Sequence, residues 1–116
     1  ILQLSDGRMV FTTSGNVNLY DGNSFKYIHR NSQHIYPLSK YNGHYRIYQS
    51  GDSILWIKDY HKLSCLNLHK EQYISNITEL LNEHGISKPI EDLFVDDNQR
   101  IWLLVGDSLI QKFRNN

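Results

Sequence analysis

Residues 98–113 read NQRIWLLVGDSLIQKF, and residues 6–21 read DGRMVFTTSGNVNLYD. Each runs from a turn to an arginine, then an apolar burst, a small or acidic turn, and a second apolar run. The two stretches share a phase. Trp102 lies 46 residues after Trp56, and Val10 lies 46 residues before it. Apolar neighbours flank all three: Met9 and Phe11, Leu55 and Ile57, Ile101 and Leu103. Seven residues on, Val17, Leu63 and Leu109 fall in register without a gap. Upstream, Ile1-Leu2 aligns with Ile47-Tyr48 and Leu93-Phe94. Turns at Ser5-Asp6-Gly7, Gly51-Asp52-Ser53 and Asp97-Asn98-Gln99 separate these from the bursts. A fixed period of about 20–50 residues marks a repeat architecture.

Each unit divides into four short strand segments separated by turn residues. In the middle unit the pattern predicts strands over 45–49, 54–58, 63–68 and 72–74. Side chains alternate faces along a strand. In the second strand Leu55 and Ile57 therefore point one way and Trp56 the other, so that strand is apolar on both sides. Such a strand needs a covering layer on each face. Four-stranded units of this length, each buried between two neighbours, describe the blades of a β-propeller. The expectation is an all-β chain of four-stranded antiparallel sheets, about two and a half blades over 116 residues. The units are a first blade with its connection over 1–43, whose opening strand reads as shortened, a second over 44–89, and a partial third over 90–116. Propellers close with about four to eight blades, so the chain reads as part of a longer protein. Its terminal blades are expected to expose apolar faces that recruit another copy.

One segment breaks the strand pattern. Ile77, Leu80 and Leu81 have helical spacing, Asn76 is placed to cap them with Glu79 three residues on, and Gly85 supplies a stop. These predict a short helix near 76–84. The corresponding connection over 29–43 contains Pro37 and is expected to stay irregular.

Twelve basic and twelve acidic residues balance, so no charge footprint points to nucleic acid or an anionic membrane. No apolar run is long enough to span a bilayer. Six histidines (29, 34, 44, 61, 69, 84) show no His-x-His or His-Glu-x-x-His spacing, and no compact metal or cofactor site is read. The single Cys65 falls in a strand, where a free cysteine behaves as a small buried hydrophobe. Asp96-Asp97 lies at a hairpin turn, and the corresponding turns of the other units also carry an Asp. This favours bonding to the local backbone over general acid–base work. No catalytic residue is assigned.

At these positions the sequence resembles the two-component regulator propeller repeat. Its pattern is a first strand, an Asp-rich turn, Gly-Arg/Asn-hydrophobic-Trp-hydrophobic-Gly-Thr, then Gly-hydrophobic-x-x-hydrophobic-Asp. The first unit carries Asp6-Gly7-Arg8-Met9, Thr13 and Gly15-Asn16-Val17-Asn18-Leu19-Tyr20-Asp21. The second keeps Asp52, Leu55-Trp56-Ile57 and Leu63. The third keeps Asp97, Arg100-Ile101-Trp102 and Leu109 but lacks the Gly-Thr pair. The resemblance implies a non-catalytic segment of the periplasmic sensor region of a hybrid two-component sensor histidine kinase. The parent would be anchored in the inner membrane, with its kinase outside this chain, and would recognise an oligosaccharide signal. The alternative is a propeller scaffold for protein–protein interaction. The resemblance implies no nucleic acid or membrane contact in this segment. Self-association would run through exposed blade faces or through a homodimer of the parent.

In a four-stranded meander alternate loops emerge at the same end. The second-to-third-strand turns therefore share an end with the connections 29–43 and 75–89. That end gathers Tyr36, Tyr41, His44, Tyr60 and Lys62 as candidate ligand residues, since ring faces beside polar groups suit sugars. The competing account has these rings covering blade edges, and on the residues alone it is the stronger.

Overall fold

The computed structural model describes residues 1–13, 16–38, 45–98, 100–106 and 108–114; of residues 13 and 109–114 it describes the backbone only. The chain is mostly β. The first sheet runs β1 (Leu2–Gln3), β2 (Met9–Thr13), β3 (Asn16–Tyr20), β4 (Phe25–Ile28) in sequence order. A single 3₁₀ turn (Ser32–His34) and a two-residue strand, β5 (Tyr36–Pro37), follow. The second sheet contains β6 (Arg46–Ser50), β7 (Ile54–Asp59), β8 (Lys62–Asn67) and β9 (Gln72–Tyr73). Helix α1 (Ile77–Glu83) leads to the third sheet of β10 (Asp92–Val95), β11 (Arg100–Val105) and β12 (Ser108–Arg114). All pairings are antiparallel.

The 46-residue phase reappears as strand register. Leu2 pairs with Val10, Tyr48 with Trp56 and Phe94 with Trp102. Across the next ladder Val10 pairs with Leu19, Trp56 with Cys65 and Trp102 with Gln111. The turn chemistry repeats as well. Asp21 Oδ1 accepts the N–H groups of Asn23 (2.9 Å) and Ser24 (3.0 Å), and Asn67 Oδ1 accepts those of His69 and Lys70 (both 3.0 Å). A short acceptor side chain at that position closes the turn in both sheets.

The three sheets form an open stack measuring 45 × 28 × 24 Å. Val10, Val17, Leu19 and Ile28 of the first sheet pack on Leu55, Ile57, Leu66 and Leu68 of the second. The opposite face of the second sheet, with Trp56, Leu63 and Cys65, packs on Leu93, Ile101 and Leu103 of the third. Every sheet thus presents the same positions in the same direction. Each fully buried Leu, Ile or Val contributes about 1.5–3 kcal/mol, so these two joints are the core. Polar contacts rim the first: Gln49 Nε2 donates to Ser5 Oγ (2.8 Å), and Arg30, 8% exposed, reaches Ser64 Oγ (3.2 Å) and Asp59 (3.5 Å). Inside the second joint lies a charge. Lys58 is fully buried and pairs with Asp92 of the third sheet. Of all strand pairs in different sheets, the first strands β6 and β10 make the most extensive contact.

Helix α1 follows its caps. Asn76 Oδ1 accepts the Glu79 N–H (2.9 Å), while the Glu79 carboxylate meets Asn76 Nδ2 (3.4 Å). Gly85 adopts φ +83°, and the bonds Gly85 N to Asn82 O (3.0 Å) and Ile86 N to Leu81 O (2.9 Å) complete a Schellman stop. Ile77 and Leu81 point into the second joint.

The connection over 29–43 differs from expectation, because it contributes the 3₁₀ turn and β5. Asn31 caps that turn through a reciprocal pair of bonds with His34. The outer edge of β8 is shared. β5 pairs at Leu63 and Lys62, and β9 at Leu66 and Asn67. Pro37 is tolerated because an edge strand does not need every N–H. The second sheet is therefore five-stranded, one more than the meander predicted.

Candidate functional site: a groove at the loop end

The turns β7–β8 and β11–β12 leave their sheets at the end where β5 and the connection after α1 also lie. Tyr60, in the first of these turns, has φ +57°, a left-handed conformation uncommon for a side chain of its size. Leu38 N–H donates to the carbonyl of its neighbour His61 (2.7 Å), which fixes β5 against this turn. On the other side Tyr36 Oη accepts the buried N–H of Ile90 (3.0 Å), so the connection before the third sheet is tied to the second.

Two adjoining concavities result. One, of about 270 Å³, lies between β5 and α1, with Tyr36, Pro37, Thr78 and Asn82 in its walls. The other, of about 550 Å³, lies against the β11–β12 turn, with Val105, Gly106 and Ser108. Ile86, Ser87 and Lys88 line both and join them into one groove. Among the described residues its walls hold hydroxyls, one amide and one ammonium group beside apolar Leu81, Ile86 and Val105. Among the described residues that line it, none is a carboxylate or a histidine.

Of the residues expected at this end, Tyr36, Tyr60 and Lys62 come together, with Pro37 directly across the ladder from Lys62. Tyr36 forms a wall: its ring is 9% exposed within the core and its hydroxyl is committed to Ile90. Tyr60 is 49% exposed, and Lys62 is exposed too, but neither lines the groove. Tyr41 and His44 lie outside the described residues. The sequence reading missed Thr78, Asn82, Ser87 and Lys88. The available signal was the stretch Gly85–Pro89, too long for a tight turn after the helix stop.

Asp96 and Asp6 hold turns of the scaffold. Asp96 Oδ1 accepts the N–H groups of Asn98 and Arg100 (both 2.9 Å); Oδ2 accepts Arg100 Nε (2.8 Å) and Trp102 Nε1 (2.9 Å). The indole bond first, and Arg100 next, hold this carboxyl down at about 2. Asp6 does similar work on Arg8 and is lowered by it. Burial pushes the Cys65 thiol up and raises Tyr73, stacked 5.0 Å from His34, to about 12. Both stay in their neutral forms near neutrality. Among the described residues no three His, Cys, Asp or Glu side chains converge as metal ligands would, and no helix is long and apolar enough to cross a membrane. No family model, no curated protein and no solved structure matches the chain.

Proposed function

We propose that this chain is a non-catalytic recognition segment of the extracytoplasmic, periplasmic sensor region of a two-component sensor histidine kinase, and that its three sheets are successive propeller blades. Three features support the blades. The ladders repeat every 46 residues, the sheets stack in one sense, and the first strands of the second and third sheets, β6 and β10, approach each other as neighbouring blades do at a hub. The loop-end groove is the ligand site in this reading, and an oligosaccharide is its ligand class. The observation that carries this assignment is the lining itself. Hydroxyl and amide groups of Thr78, Asn82, Ser87 and Ser108 offer directional hydrogen bonds beside apolar wall. Ligand binding signals only if it favours one receptor state over the other.

The test is titration of the chain with a broad panel of neutral and acidic oligosaccharides, followed by amide chemical shifts. Shifts should cluster at Thr78–Lys88 and at the β11–β12 turn, and Asn82→Ala and Lys88→Ala should each weaken binding about tenfold, the loss of a single hydrogen bond to a charged or polar group. A panel that leaves those amides unmoved overturns the assignment. A protein-binding scaffold is the second reading, favoured by the exposed rings of Phe25 and Tyr27.

A further inference from the structure

The connection between the first two sheets carries a capping box of unusual composition. The third helical position of such a box ordinarily holds Glu or Gln, whose side chain reaches back to the N-cap N–H. Here that position is His34. Its Nδ1 accepts the Asn31 N–H (3.1 Å), and Asn31 Oδ1 accepts the Gln33 N–H (3.0 Å). The acceptor role fixes the tautomer. Nε2 carries the proton of the neutral ring, and Nδ1 is the atom that takes the next one. A proton there faces a donor, so the box holds only while His34 is neutral.

The ring also sits where its loss would be felt. It stacks on Tyr73, with centroids 5.0 Å and planes 16° apart. Tyr73, in β9, is 8% exposed and reaches the backbone of Val17 in the first sheet. His34 therefore rests on a side chain that ties two sheets together. Two residues on, Tyr36 pairs with Leu63 of β8 and accepts the Ile90 N–H at the wall of the groove. The Asn31 box and the groove wall are ends of one short run of chain.

The surroundings do not favour an imidazolium. His29 acts on His34 from the same connection, and Arg30, Tyr27 and Tyr45 lie about Tyr73. Asp59 is engaged by Arg30, and Glu71, at the turn into β9, by Arg8 and Lys26. The Tyr73 ring face would attract a cation. Burial first, and His29 next, outweigh it and hold His34 below the ordinary histidine value of 6.5. Because the unfolded chain then takes the proton first, stability is lost as pH falls from 6.5 toward the folded value.

We infer that His34 is a pH-sensitive latch: neutral, it pins the connection over 29–38 and with it the Tyr36 wall of the groove; protonated, it releases both. The latch stands on the geometry of the turn, whereas control of ligand binding by it rests on the function proposed above.

The experiment is an NMR titration of the 116-residue chain from about pH 7.5 to about pH 5. Imidazole nitrogen shifts should identify His34 as the Nε2–H tautomer, titrating below 6.5. The Asn31 amide proton should move with the same apparent pKa. Hydrogen-exchange protection of the Ile90 N–H should fall about three- to tenfold once the ring is charged, the worth of one net hydrogen bond. His34→Gln restores an ordinary box residue and should hold both signals steady across the range. His34→Ala should show the released state at every pH. An Asn31 amide that ignores the His34 titration overturns the inference. Ile90 protection that ignores it does so as well, since the turn would then not reach the wall. A pH dependence that survives in His34→Gln also overturns it and assigns the effect to another group, His29 foremost. The wild-type titration decides even if a variant fails to fold. None of these readouts needs a sugar, so a groove that binds no oligosaccharide leaves the latch intact.

Discussion

The first and second sheets have the same strand order, register and turn chemistry, yet they live in different solvents. In the second sheet Leu55 and Ile57 on one face and Trp56 on the other are within 1% of complete burial. In the first sheet only the Val10 face is closed, and Met9 and Phe11, in the phases of Leu55 and Ile57, remain half-buried. Depth in this molecule is therefore conferred by the neighbouring sheet and not by the strand's own pattern. The third sheet repeats the lesson in mirror form, with Ile101 and Leu103 closed and Trp102 half open.

The largest effect should come from the two tryptophans. Trp56→Ala removes a ring sealed between two sheets and should cost about 3–5 kcal/mol. Trp102→Ala, at the same register position, should cost about 1–2 kcal/mol, chiefly the loss of the indole bond to Asp96 and partial packing. Urea denaturation of both variants measures the contrast. Equal costs would break the claim that neighbours confer depth. The Trp56 indole N–H is buried without a hydrogen-bond partner among the described residues, so its ring serves by bulk, and Trp56→Phe should be far milder than Trp56→Ala.

The next contrast is electrostatic. Thr12, Lys58 and Leu104 share one phase, and only the middle one carries a charge. Lys58 is tolerated at full burial because Asp92 meets it. Asp92→Asn leaves the ammonium without its counter-charge and should cost about 3 kcal/mol. Changing both residues, Lys58→Leu with Asp92→Asn, should recover most of that loss, since an apolar side chain at this phase is what the third sheet already uses. A double-mutant cycle reads the coupling. Strictly additive costs would show that the pair does not act as a unit.

Much of the layered arrangement was legible because it depends on periodicity. The strands of the middle sheet, the two-faced burial of β7 and the Asn76 and Gly85 ends of α1 all follow from spacing within about ten residues. What escaped depends on partners far away in sequence. β5 is two residues long and includes Pro37, so neither alternation nor propensity marks it; it exists because the edge of β8 is open there. The same holds for Tyr36. Its ring was a reasonable platform for a ligand in sequence, but the structure commits it to Ile90, 54 residues on. The groove depends on how three loops meet, and no local pattern encodes that. Even the repeat conceals a substitution of parts: Asp6 grips Arg8 from two residues upstream, whereas Asp96 grips the in-phase Arg100 from four.

That last difference gives the smallest effect and the sharpest test of the third sheet. Asp96 titrates at about 2 in the folded chain, below the ordinary carboxylate value of 3.8. A group whose folded pKa is depressed stabilises the fold above its unfolded pKa. Its contribution should therefore be complete above about pH 5 and should fade as pH drops from about 4 through 2. Asp96→Asn keeps a carbonyl acceptor for Asn98 and Arg100 but removes the charge. The stability difference between wild type and variant should thus shrink across that window. The two indole N–H resonances supply an internal control. The Trp102 signal should move with an apparent pKa near 2, because its N–H donates to the titrating oxygen, while that of Trp56, sealed between sheets, should stay still until unfolding. A Trp102 signal that shifts at the ordinary carboxylate value would mean that Asp96 does not hold the indole, and that the open face of the third sheet is differently built.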